Sequence, residues 1–364
     1  MAYGAGTAAQ SGDRPLPQYA WNALLSGNGF SYQIQFPGND TVDRSYPLCR
    51  TICPEKNIPR RAEIALVVSE KAFALSPWDK TFVPTGRTTQ FYGDDGKVKI
   101  SREWLFRLTG SLINGQLNDL GRCGAPVDYI LAEDLADHPG DYKLYIFANC
   151  FHADPNLIKA VKTLQKKPVT LLFLYAPGVV DNGKFSTAGM KKLTGLDFEA
   201  APEALVPAVI LPDKECIGNF QDSVFPAFGV KAGSGTLVRR YVLHKMNGYA
   251  EKKIGQSTTI FCGAWLFDPA FYRELARRAG VHIFSDSNDP CEANDSFFLL
   301  HARTPGRKTI RLPRKTDVAD LFTGKIIARQ CDKFTVEVKL HETKLFYYGD
   351  DAEMLTNITG KDDK

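Results

Sequence analysis

No stretch of ~18 consecutive apolar residues occurs in this chain, so nothing in it reads as a helical membrane span. The first residues do not read as an apolar leader either. Met1 to Arg14 is small, polar and Gly-rich, without the apolar core of a secretory signal. Clustered metal ligands are also lacking. The eight cysteines are scattered, and only Cys49 and Cys53 stand close together. Their C-x3-C spacing has no second pair nearby and no grouped histidines, which argues against a zinc ribbon and leaves no metal site to expect. Others, such as Cys262 inside Thr258–Leu266, read as small buried hydrophobes in a reducing compartment, which points to the cytoplasm.

Charge of one sign is in short supply too. The net charge of +4 is spread out, and the densest basic stretch, Arg303 to Lys315, is interrupted by Pro305, Gly306 and Pro313. That pattern fits a solvated strand-and-turn surface better than a nucleic-acid stripe. The glycine pairs GNG (27–29), GDDG (93–96) and GSG (233–235) lack the strand–GxGxxG–helix context of a nucleotide site. GDD also lacks the acid that closes a calcium loop. No cofactor is expected.

What the chain does contain is ordinary for a folded protein: 364 residues, 24% charged and 44% hydrophobic. At roughly 100–200 residues per domain, two domains or three short ones are expected.

Residues 1–60 read as an extension rather than a domain, with Trp21–Leu25 as one helical turn, a strand-like GNGFSYQIQF (27–36), and a Pro/Asp/Arg-rich remainder. From Ala62 the pattern changes. AEIALVVSE (62–70), VDYILAEDL (127–135), KLYIFANC (143–150) and PVTLLFLYAPG (168–178) are strand-like apolar runs. A long loop over 71–98 and a helix opening at Ser101 separate the first two. Asp154–Pro155 opens a helix through Leu164, Ser186–Leu193 forms another that ends at Gly195, and Asp268–Pro269 starts a third that closes at Gly280. ALVPAVIL (204–211), GTLVRRYVLH (235–244), STTIFCGAWL (257–266) and VHIFSD (281–286) are further expected strands. This alternation predicts an α/β fold, a doubly wound, mostly parallel flavodoxin-like sheet over 61–289. After Asp289 the period turns to two. SFFLLHA, KTIRLP, GKIIARQ, KFTVEVKL and TKLFYYGD predict a small antiparallel β-sandwich over 290–350, then a polar tail over 351–364.

The segments GAPVDYILAEDL, DYKLYIFANCFHADPNLIKAVKTL, PVTLLFLYAPG and GMKKLTG resemble the domain that follows the catalytic barrel in family 42 β-galactosidases and related glycoside hydrolases. That domain is itself similar to class I glutamine amidotransferases and is called the trimerisation domain. AWLFDPAFYRELARRAGVHIFSD with FLLHA, IRLPR and DLFTGK resembles its end and the C-terminal β domain that follows. WNALLSGNGFSYQIQF is similar to the last part of a barrel. A complete (β/α)8 barrel takes roughly 250 residues, more than precede Ala62, and the paired carboxylates of glycoside cleavage would lie on it. The resemblance thus implies a non-catalytic, carbohydrate-associated and oligomer-forming portion of a glycoside hydrolase; the alternatives are a free-standing carbohydrate- or protein-binding module, or a hydrolase that uses Cys150. The implied partners are copies of itself, as a trimer, or a separate barrel-bearing subunit.

Amidotransferases of class I hold a cysteine on a sharp strand-to-helix elbow, with a His-x-Glu pair downstream. Here the elbow reads Tyr175-Ala176-Pro177-Gly178, the resemblance puts Ala176 at the nucleophile position, and no His-x-Glu occurs. No catalytic residue is therefore assigned. Cys150, followed by His152 and Asp154, is the rival nucleophile. The plainer reading is a packed cysteine beside a helix cap. Glu133 and Asp134 end the second strand, where paired carboxylates can hold a sugar hydroxyl or a cation, although capping or solvent exposure is the plainer reading. Asn149, Tyr175 and Asn182 stand at comparable strand ends, so these seven residues make a candidate polar cleft, or a contact surface for a neighbouring subunit. Phe346, Tyr347 and Tyr348 suggest an aromatic platform. At period two, however, Phe346 and Tyr348 share one face and Tyr347 takes the other, which favours packing.

Overall fold

The computed structural model describes residues 62–72, 112–113, 115–117, 119–211, 214–215, 223–350 and 352–353. The expected extension over 1–60, most of the loop over 71–98, the opening of the helix at Ser101 and the end of the tail lie outside them. The described chain divides into two units, one of residues 63–120 and 127–281, the other of 121–126 and 282 onward.

The first unit is α/β. Strands β1 (Ile64–Val68), β2 (Val127–Leu131), β3 (Leu144–Phe147) and β4 (Thr170–Leu174) carry the apolar runs read from the sequence. Small pieces follow: hairpin strands β5 (Val180–Asp181) and β6 (Lys184–Phe185), then β7 (Phe198–Ala200), β8 (Ile210–Leu211), β9 (Lys214–Glu215) and β10 (Phe228–Val230). β11 (Leu237–Arg240), β12 (Asn247–Ile254) and β13 (Ser257–Cys262) complete the set. The main sheet runs β2-β1-β3-β4-β13-β12-β10-β7, with β11 paired to β12. Its first five strands are mutually parallel, while β12, β10 and β7 pair antiparallel. The order 2-1-3-4 and onward is that of a flavodoxin-like sheet, and it reverses direction between β1 and β3.

Three helices are placed by local chemistry. α1 (Pro155–Leu164) has Pro155 in its first turn, and Asp154 accepts the N–H groups of Asn156 and Leu157. α2 (Thr187–Thr194) is capped by Ser186 and stops at Gly195, whose φ of 80° is left-handed. α3 (Pro269–Arg278) repeats the Asp-Pro start at Asp268. The inward stripe of α1, namely Leu157, Ala160, Val161 and Leu164, joins Val67, Tyr145, Phe147, Leu171 and Phe173 in one apolar cluster. Phe147 and Phe173 stack at 4.4 Å within it. A parallel strand covered on both faces needs such continuous apolar runs.

The second unit contains β14 (Cys291–Ala293), β15 (Phe297–His301), β16 (Gly306–Asp320), β17 (Lys325–Val338) and β18 (Thr343–Tyr348). These form a single antiparallel sheet in the order β14-β15-β18-β16-β17, in place of the expected two-layer sandwich. Residues read as separate short strands fuse into long ones. β16 continues through Pro313, where the pairing with β17 shifts register between Arg311 and Thr316, as a residue without an N–H requires. Both faces are apolar. Phe298, Ile310, Phe346 and Tyr348 pack on one, and Phe297, Leu299, Leu345 and Tyr347 on the other. The period-two reading of β18 holds, and its three aromatic residues are buried rather than presented as a platform.

VHIFSD (281–286) is not a strand. Ile283 and Phe284 are buried, but Phe284 donates its N–H to the Gly124 carbonyl at 2.8 Å and accepts from Arg311 N–H. Its apolar pattern reflects burial of an irregular segment. The contact needs glycine at 124, where φ is +94° and a Cβ would lie 1.7 Å from the Ser285 carbonyl oxygen.

Candidate functional site

In open α/β sheets the crevice beyond the carboxyl ends of the strands, at the reversal of strand order, is the usual binding position. Here that is the space past β1, β3 and β4. An open cleft of about 550 Å³ occupies it. Its polar lining comes from Lys71 after β1, His152 and Asp154 after β3, Asp181 and Asn182 at the β5–β6 hairpin, and Lys192 on α2. Two ion pairs stand on its walls, Lys71–Asp154 at 2.5 Å and Lys192–Asp181 at 2.7 Å.

Each side chain has a local reason for its place. His152 bridges Val180 as a parallel partner, with Val180 N–H donating to Phe151 O and Ala153 N–H to Val180 O. This zips the segment after β3 to the base of the hairpin. Asn182 and Gly183, with φ of 50° and 73°, make the two left-handed positions of a tight hairpin turn. Glu133 accepts the Ser69 hydroxyl at 2.8 Å and the N–H groups of Glu70 and Lys71 at 3.1 and 3.2 Å, so it fixes the loop that carries Lys71. Burial opposes its ionisation, but these donors outweigh it and hold the carboxyl below its usual range. The same balance holds for Asp154, where burial is outweighed by Lys71 and the two helix amides. The hydrogen bond to Asp154 in turn raises the Lys71 ammonium above its ordinary value. His152 is shifted down, first by burial and then by Lys71, against the pull of Asp154 and Glu133.

Of the seven candidate residues, only His152 and Asn182 line the cleft. Asn149 is fully buried, its amide closed on the backbone of Ser69. Cys150 is 2% exposed, with its sulfur 3.8 Å from the Val67 carbonyl, and burial together with Glu133 pushes its thiol well above the ordinary range. Burial of this kind disfavours the thiolate. Glu133 accepts from the backbone of Glu70 and Lys71 outside the lining, and Asp134 is exposed beyond β2.

The strained elbow residue is Tyr175, with φ of 58°, one position before the expected Ala176. The Ala176 N–H turns back to the Leu174 carbonyl at 2.9 Å, so it is spent on the turn and not offered to an oxyanion. The Tyr175 hydroxyl donates to Pro226 O at 2.5 Å, the ring meets Trp265 edge-on at 5.2 Å, and burial raises its pKa. The elbow is thus packed and hydrogen-bonded, without a free nucleophile. Lys71, Asp181 and Lys192 were not singled out from the sequence. A lysine past a strand end carries no signal until its partner, 83 positions away for Lys71, is folded against it. Among the described residues no group of three or more His, Cys, Asp or Glu is placed to hold a metal ion.

No protein-family model matches the chain, and no curated protein matches it. Solved structures do. A β-galactosidase from Bacillus circulans sp. alkalophilus matches with a TM-score of 0.57 at 15% identity, over 85% of this chain and 44% of its own. Gan42B, a GH42 β-galactosidase from G. stearothermophilus (a catalytic mutant), matches with 0.55 at 15% identity, over 83% and 42%. A β-galactosidase from Rahnella sp. R3 matches with 0.53 at 12% identity, over 85% and 45%. This chain therefore spans less than half the length of the β-galactosidases it matches, and it is similar to that part of them in fold.

Proposed function

We propose that this chain is the non-catalytic, oligomer-forming and carbohydrate-associated portion of a β-galactosidase-like glycoside hydrolase. It would combine an amidotransferase-like trimerisation domain with the C-terminal β domain. On this reading the two carboxylates of glycoside cleavage are carried by a (β/α)8 barrel, on a separate subunit or elsewhere in a longer protein. The observation that carries the reading is the shared fold with a β-galactosidase over 85% of this chain. The packed elbow supports it, since Tyr175 is buried there, and the rival Cys150 after β3 is buried as well. Cys150 and Cys331 carry no disulfide, which fits a cytoplasmic setting. No described helix is long and apolar enough to cross a membrane.

Light scattering on the gel-filtered protein, with a nitrophenyl galactoside assay on the same fractions, tests the proposal. A trimer or other closed oligomer without hydrolysis is the expected result. A strict monomer removes the assembly role, and hydrolysis by the chain alone removes the non-catalytic one.

A further inference from the structure

The cleft past β1, β3 and β4 has a composition that selects its ligand. Its charged lining consists of two cations and two anions, already paired: Lys71 with Asp154 and Lys192 with Asp181. Either sign of ion would be attracted by one half of each pair and repelled by the other. The hydrogen-bonding capacity is uneven. Asp154 spends one oxygen on the α1 amides and the other on Lys71, and Asp181 receives Lys192 and Asn182. Each ammonium has three donors. Among the described residues only Asp154 accepts from Lys71 and only Asp181 from Lys192, so donors are left over on both walls. A hydroxyl placed at such a pair accepts from the lysine while its proton turns toward a remaining carboxylate lone pair. Ile158 and Val180 add apolar surface to the lining, suited to C–H groups.

From this arrangement we infer that the cleft binds a small uncharged polyhydroxylated molecule, with separate hydroxyls seated at the Lys71–Asp154 and Lys192–Asp181 pairs. The site lies wholly within the α/β unit, and the inference stands whether or not the chain assembles as proposed above. The lining contains no Phe, Tyr or Trp on which a sugar ring could stack, so affinity near the millimolar range is expected.

His152 lines the cleft and is one of six histidines in the chain, so its ring proton is a local reporter. The test is an NMR titration of the full-length protein with myo-inositol and D-galactose, with inorganic phosphate and spermidine as charged probes. The His152 signal, assigned by its loss in His152→Gln, should shift with saturation on at least one neutral polyol. Lys71→Gln and Lys192→Gln change side chains that are 55% and 56% exposed, so both variants should keep the fold. Each should weaken the polyol by about fivefold or more, the loss of roughly one charge-assisted hydrogen bond. The inference is overturned by either of two results: no His152 shift with any polyol, or phosphate or spermidine binding more tightly than both polyols. Undiminished polyol binding in the Lys71→Gln/Lys192→Gln double variant would also overturn it.

Discussion

Asn149 closes the carboxyl end of β1 onto β3 by a two-way bond to Ser69: Ser69 N–H donates to its Oδ1 at 2.7 Å, and its Nδ2 donates to the Ser69 carbonyl at 3.0 Å. Both residues are buried, Asn149 completely. This is the point where the strand order reverses, so the amide takes the place of a ladder that cannot continue. Asn149→Ala leaves a backbone donor and acceptor without partners. Each orphaned group costs about 1–3 kcal/mol, so a loss of about 2–4 kcal/mol in urea unfolding is expected. A loss under half of that would mean water reaches Ser69.

Tyr175 holds the elbow by its hydroxyl as well as its ring. Tyr175→Phe keeps the contacts with Trp265 and Phe151 but removes the donor to Pro226 O. The expected destabilisation is about 1–2 kcal/mol, with oligomeric state and any ligand binding unchanged. A change in activity toward any substrate, with stability intact, would instead give the hydroxyl a chemical role.

The cysteines should rank by burial. Cys150, Cys123, Cys262 and Cys291 are buried, and Cys331 is half-buried. Burial raises the thiols of both Cys150 and Cys331 above the ordinary range. Iodoacetamide followed by peptide mass mapping should label Cys331 first among these five and leave Cys150 unmodified until the chain is unfolded. Early labelling of Cys150 in native protein would reopen its nucleophilic reading.

Much of the fold was legible because the decisive signals are local. The Asp-Pro starts at 154 and 268 and the Ser186-to-Gly195 span mark helix ends by capping chemistry that needs no tertiary partner. The runs that became β1, β3 and β4 are apolar throughout, as strands buried on both faces must be. β12 was not legible. Its Glu251 looks like a solvent position but is 8% exposed, held by Arg278 of α3 through bonds of 3.0 and 2.5 Å. The second unit gave its strand count only roughly, since Pro313 and the Cys331–Asp332 pair read as breaks inside strands that run on past them. At the site, His152 and Asn182 were found by their place after strands, whereas the Lys71 and Lys192 pairs exist only through contacts distant in sequence.

His152 and His301 share a shift with a consequence for acid stability. Burial lowers both; Lys71 adds to it at His152, and His341 adds to it at His301. A histidine with a depressed folded pKa binds fewer protons folded than unfolded. Its effect is absent above the ordinary range. As pH falls below about 6.5, the unfolded chain takes the proton first and stability drops, until the folded group protonates as well. A His152→Gln/His301→Gln variant should therefore show a flatter decline of unfolding free energy from pH about 6.5 downward than the parent. Parallel profiles would assign the acid sensitivity to carboxylates instead.

Gly189 sits inside α2, where alanine would ordinarily stabilise a helix by about 1 kcal/mol over glycine. Packing opposes this. A Cβ at 189 would lie 2.4 Å from the Gly178 carbonyl oxygen and 3.0 Å from Asp181 Cβ. The first of these is backbone, in the turn after β4, and it cannot swing aside as a flexible side chain can. Relief requires α2 to move off the turn, and Lys192 on the same helix would then shift relative to Asp181. Clash should therefore win over propensity, with Gly189→Ala destabilising by about 1–3 kcal/mol. Gly183 is the contrasting case. Its Cβ would meet nothing within 4 Å, but its φ of +73° is left-handed, so Gly183→Ala should cost about 1 kcal/mol of backbone strain alone. Urea unfolding of both variants separates the two causes. A stabilised Gly189→Ala would show that α2 stands further from the β4 turn than this geometry places it.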